Sequence, residues 1–310
     1  MMRVLPPLAA LVYPGLIWCG AALAPMFLLI SIAAPGLALW IAHRTAPHPR
    51  ARRIAFFAVG APPLYTLLGG WLDFQHAVPF KALHVWVVLW AVLACVALWE
   101  RPSEEGAATA HAATSHRLAF AHGISAALIT LFTVAHLLNH FSGLWGGDVH
   151  IAVMKALRLV YRQPLVEMVL LVAIAFQVSS GLVLLSRKLA RTGSWIDSLQ
   201  MGSAAYLVVF FLSHLSAVLR ARYLRDVDTN WVWLTSDNLL TDPWSVRLTP
   251  YYFLAIVAFG VHGAAGVRSV LMNHGSSMQQ ADRAFALIVA AATVLSASIM
   301  VGLIGSSIHS

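Results

Sequence analysis

Charge is what this chain has least of. Lys, Arg, Asp and Glu together make up 10% of its 310 residues, 60% are hydrophobic, and the mean hydropathy is +0.77. Soluble domains carry about 25% charged residues, so a water-soluble globule is excluded and the composition is that of a polytopic membrane protein. Cysteine is nearly absent too: Cys19 and Cys95 fall in separate apolar segments with no paired spacing. That excludes a cysteine-ligated cluster and a covalent c-type haem attachment, and leaves the compartment open. No HExxH or Cys/His ligand cluster suggests zinc, and no flavin or iron–sulfur binding sequence is present. The opening "MMRVLPPLAALVYPGLIWCG" has a basic start and an apolar run, yet prolines interrupt it and Trp18 precedes Cys19. It reads as membrane-embedded sequence and not as a cleaved leader.

The net charge of +8 could point to nucleic acid, but the arginines gather at the ends of apolar segments. Cations there are topology signals, so no nucleic-acid partner is expected and the lipid bilayer is. A span needs about 20 apolar residues. Seven segments qualify: 54–73, 80–99, 117–143, 164–187, 202–221, 250–271 and 283–305. The first 43 residues, interrupted by Pro14, Pro25 and Pro35, form either one helix from about 15 to 43 or a short hairpin. The expected fold is an all-α transmembrane bundle of about eight spans, or nine with the hairpin.

"HRTAPHPRARR" (43–53) holds four arginines and "SRKLAR" (186–191) three basic residues. With Arg101, Arg117, Arg268 and Arg283 they mark one side, expected to be the cytoplasm of a bacterial-type inner membrane. The polar stretch 100–116 is a linker between N-terminal helices (1–99) and a five-helix part (117–306). The loop 222–249, rich in Trp, Asp and Asn, is expected outside as a cap on the headgroup layer.

Of fourteen histidines, His43, His48, His111, His116, His274 and His309 read as solvated, and His76, His84 and His150 as interfacial. His122, His136, His140, His214 and His262 lie within spans, where an ionisable side chain is a functional candidate. At about 100° per residue, His122 and His140 share one helical face, with His136 about 40° and Thr133 about 20° away. His136 and His214 fall at a similar outer depth, His262 in the inner half. Two histidines meeting at one depth suit a bis-imidazole haem b. Hydrogen bonding between helices is the plainer reading and stays open. Gly260, Gly263, Gly266, Ser179, Ser180 and Gly181 give room beside a macrocycle or serve ordinary packing.

"LFTVAHLLNHFSGLW", the connector "HIAVMKALRLVYRQPLVE", then "LVAIAFQVSSGLVLL", "FFLSHL" and "FGVHGAAGVR" resemble the five-helix cytochrome b membrane subunits of succinate dehydrogenases and fumarate reductases. The resemblance covers about 117–306. It implies that His136 and His214 ligate an outer haem b, and that His262 is the inner-haem ligand on the fourth core helix. Its partner position is held by Gln177, a departure from the family's histidine, so one haem is expected more than two, with His122 as a substitute ligand at the depth of His262. His140 would hydrogen-bond a propionate or a quinone. Glu167, after Pro164, belongs in the first helical turn or serves as a proton relay beside a quinone. The function implied is electron transfer between a quinone pool and peripheral Fe–S/flavoprotein subunits, since this chain carries no dehydrogenase site of its own. The alternative is a haem-free transporter or assembly factor with the same side chains lining a polar path.

Overall fold

The computed structural model describes residues 2–22, 26–45, 49–72, 81–100, 116–189 and 193–309, with no strand among them. The helices are α1 Leu5–Ala22, α2 Met26–Arg44, α3 Pro49–Val59, α4 Ala61–Leu72, α5 Ala82–Trp99, α6 His116–Ser142, α7 Gly147–Tyr161, α8 Pro164–Leu189, α9 Trp195–Arg225, α10 Trp231–Thr235, α11 Leu248–Asn273 and α12 Met278–His309. Among the described residues, eight are long and apolar enough to cross a membrane, and a bent pair makes a ninth if counted as one span. The linker 101–115, with His111, lies outside the described residues, as do His48 and His76. Phe120, Leu131 and Leu287 are more than 70% exposed. Such bare apolar faces are stable against lipid and not against water.

The first 43 residues form the hairpin. Pro14 and Pro35 sit inside α1 and α2, two helices that pack against each other. The single span expected at 54–73 is instead broken: α3 and α4 meet at 67° across Gly60. The cause is local. Pro62 and Pro63 have no N–H to give the carbonyls one turn back, so the α3 ladder cannot run on, and they suit the first turn of a new helix. Gly60 lies against α9, where an added Cβ would stand 3.4 Å from the Ala205 carbonyl oxygen and from Val209.

α9 is the central post. Ser194 caps it, its hydroxyl accepting from the Asp197 N–H while Asp197 Oδ2 accepts from the Ser194 N–H, a reciprocal pairing that satisfies otherwise free helix-end donors. Tyr13, Ile17, Trp86 and Trp90 from the N-terminal helices join Tyr206, Leu207, Val246 and Ala255 in one buried cluster. The N-terminal helices are thus packed against the C-terminal bundle.

The loop after α9 is not a cap lying on headgroups. Trp231, Leu239 and Val246 are buried, the Trp231 ring fills the space beside Gly143 and Gly147, and the Trp244 ring fills the space beside Gly69. Large aromatic rings and apolar side chains drive the segment into the bundle mouth.

Candidate functional site

The half of the bundle at the C-terminal end of α6 gathers four imidazoles. α6 contributes His136 and His140, one turn apart with ring centroids 4.7 Å from each other. α9 contributes His214, whose centroid is 6.3 Å from that of His136, the ring planes 67° apart. The fourth, His150 on α7, lies 5.1 Å from His140 and is 2% exposed. The interfacial role expected for His150 is therefore wrong. The short connector η-turn Gly143–Trp145 folds α7 back over α6, which brings His150 under the Trp231 ring at 4.5 Å. Sequence reading missed it because α7 looks like an amphipathic surface helix. The available signal was Asn139 on α6, which faces away from the histidine stripe and binds His150 Nε2 at 3.1 Å.

Aromatic rings fix the orientation of the two facing imidazoles. Phe132, one turn before His136, stacks on it at 5.6 Å, and Phe210, one turn before His214, stacks on that ring at 5.3 Å. Among the described residues neither His136 nor His214 has a hydrogen-bond partner, while His140 Nδ1 and His150 Nδ1 are buried without one. Asn139 can offer His150 only one atom whichever way its amide is turned, so His150 Nδ1 is left over in either case. Burial, with smaller effects of His136 and the Arg158 guanidinium, pushes the His150 imidazole down to about 4.

Could this cluster hold a metal? Among the described residues no group of three or more His, Cys, Asp or Glu side chains is placed to share one ion. A two-ligand axial arrangement is different. Imidazole nitrogens bond a transition metal at about 2.0–2.1 Å, so two rings on opposite sides of one ion have centroids roughly 6 Å apart. The 6.3 Å between His136 and His214 fits that spacing, and both rings lack competing hydrogen bonds. On that spacing His136 and His214 are the residues that would hold a haem iron.

The residues toward the other end of the bundle behave otherwise. His122 Nδ1 is 2.8 Å from Ser180 Oγ, whose own proton goes to the Phe176 carbonyl. The hydroxyl must then accept from His122 Nδ1–H. His122 Nε2 consequently accepts from the Gln177 amide at 2.9 Å, and Gln177 Oε1 accepts from the Ser125 hydroxyl. Every group in this chain of bonds has a partner, and neither His122 nitrogen is free for a metal. Gln177 is thus paired with His122 and not with His262, as the resemblance would have it. His262 Nδ1 instead lies 3.4 Å from the Gln200 carbonyl on α9. The glycines around His262 divide: Gly260 is held by close packing against Ala292 of α12, whereas Gly263 and Gly266 have open space beside them. His43, expected to be solvated, makes a 2.9 Å bond to Ser198 Oγ and packs on Trp195, tying α2 to α9.

Glu167 sits in the first turn of α8, as expected, and its carboxylate is held by Arg222 at 2.7 and 3.3 Å and by the Tyr223 hydroxyl at 3.1 Å. Such a two-pronged guanidinium grip favours a fixed anion. Nearby, Arg158 pairs with Asp228 at 2.7 Å and Arg162 reaches the same carboxylate at 4.0 Å. Three arginines thus meet two carboxylates at this end of the bundle.

No protein-family model, curated protein or solved structure matches the chain. Its standing as an all-α, multi-pass membrane protein rests on its own helices.

Proposed function

We propose that this chain is a haem b-carrying membrane subunit, of the kind that passes electrons between a quinone pool and a peripheral oxidoreductase subunit, in a bacterial-type cytoplasmic membrane. The observation that carries the reading is the facing pair His136 and His214, offered by two different helices at the spacing of axial ligands and without hydrogen bonds of their own. Haem would be held there by His136 and His214 and would supply one-electron chemistry, suited to transfer and not to oxygen activation.

The chain's own residues do the rest. Phe132 and Phe210 keep the two ligand rings oriented. The uncommitted Nδ1 of His140 gives a donor or acceptor one turn nearer the headgroups, where a propionate or a quinone oxygen would meet it. Arg222 holds the Glu167 carboxylate as an anion at the same outer end, where it could take a proton only by giving up that pairing. The His122–Gln177–Ser125 network favours one haem over two, because its imidazole is already satisfied. Peripheral Fe–S/flavoprotein partners are what the resemblance implies. A reduced-minus-oxidised spectrum of the purified protein tests the reading: a b-type α band is expected, and its absence overturns it.

A second reading has its own observation. The 67° break between α3 and α4 is the kind of discontinuous helix found where transporters bind substrate. A haem-free transporter or assembly factor would use it, with His122, Gln177 and Glu167 along a polar path, and would show no α band.

A further inference from the structure

Where the N-terminal helices meet the C-terminal bundle, the loop before α11 inserts Arg247, which is only 8% exposed. Its Nη1 donates to the Trp244 carbonyl, and its guanidinium carbon lies 3.4 Å from the centre of the Trp244 ring. Among the described residues no carboxylate pairs with it, in contrast to Arg158, Arg222 and Arg268. The Arg247 Nε–H has no acceptor, and neither has the hydroxyl of Tyr13, a residue 1% exposed on α1. Tyr13, Tyr65, Tyr251 and Tyr252 all lie within electrostatic range of the guanidinium.

An arginine cannot escape burial by losing its proton, and a buried charge without a counter-ion is strongly unfavourable. The Trp244 ring face offsets part of this, but a ring does not accept both orphaned protons. What satisfies two buried donors within electrostatic range of each other, and one positive charge, is an acceptor that is itself negative. A neutral carbonyl would leave the charge uncompensated, and a cation would add to it. We propose that Arg247 and Tyr13 form a binding site for an oxyanion, a phosphate or carboxylate group, seated between α1 and the loop that precedes α11. Guanidinium matches the geometry of such groups. The site is independent of the histidine cluster and of the haem reading.

The source of the oxyanion is either an anionic lipid headgroup or a free solute, and one experiment separates them. The full chain in neutral detergent is melted with increasing phosphatidylglycerol, inorganic phosphate or acetate, against phosphatidylcholine and against chloride at matched ionic strength. A saturable rise in melting temperature of several degrees is expected with at least one anion. A rise with phosphatidylglycerol alone assigns a lipid headgroup, and a rise with phosphate or acetate a soluble ligand. Tyr13→Phe removes one donor and should weaken the half-saturating concentration about ten-fold. Without ligand the same variant should melt no lower than the wild type, because the hydroxyl it deletes has no partner. Arg247→Gln should abolish the response, and if that variant does not fold, Tyr13→Phe decides alone. No saturable rise with any anion, or an unchanged response in Tyr13→Phe, overturns the proposal.

Discussion

His136, His140 and His150 have the same side chain and different tasks, and the neighbours decide which. His136 faces His214 without a hydrogen bond, His140 is one turn outward with a free Nδ1, and His150 is half-satisfied by Asn139. His140→Ala is therefore expected to keep haem and to slow quinone reaction or shift the haem potential, which stopped-flow and redox titration would read. Loss of the haem in that variant would make His140 the ligand. His150 carries a pH dependence. Its imidazole is pushed down to about 4 from the usual 6.5, so between those values the opened chain binds a proton that the folded chain refuses. Stability from its burial is complete above pH 6.5 and falls as the pH drops toward 4. Melting temperature should decline across that window, and His150→Gln should flatten the decline; equal slopes in both proteins would refute the assignment. The span histidines and Glu167 were legible from sequence because a polar side chain in an apolar run announces itself. His150 was not, since its burial depends on Trp231, about eighty residues further along the chain, coming to rest on it.

Helices α6, α8 and α11 were legible from apolar length, with ends within about two residues of those expected, while α9 and α12 run four to seven residues past the expected ends. What sequence length could not show was the break at Gly60: residues 54–73 are apolar enough for a span, and only the Pro62–Pro63 pair, acting through its missing donors, divides it. The packing of the loop 222–249 was misread for the opposite reason. Its Trp and Asp content suits an interface, but the glycines at 69, 143 and 147 leave slots for its rings. The arginine bias at the ends of α2 and α8 predicts a cytoplasmic 186–192 turn and a 222–249 loop on the opposite side. A cysteine placed at the exposed Val232 should react with an impermeant maleimide added to intact cells, whereas labelling only after lysis would invert the topology.

At the scale of the whole molecule, the division at the polar linker separates sequence and not packing. Tyr13, Trp86 and Trp90 share their cluster with Tyr206, Val246 and Ala255, and Arg220 Nη1 donates to the Gly70 carbonyl across the same seam at 2.7 Å. A fragment beginning at residue 116 would lay that cluster bare, so it should aggregate or exchange rapidly in detergent where the full chain stays monodisperse; a stable, soluble fragment would show that the seam contributes little. The central claim is that one haem iron is held between α6 and α9. A pyridine haemochrome assay on purified protein tests it most directly. About one haem per chain is predicted for the wild type, and none for His136→Ala or His214→Ala, each checked for intact folding by circular dichroism. A wild type free of haem, or full haem content in both variants, would contradict it.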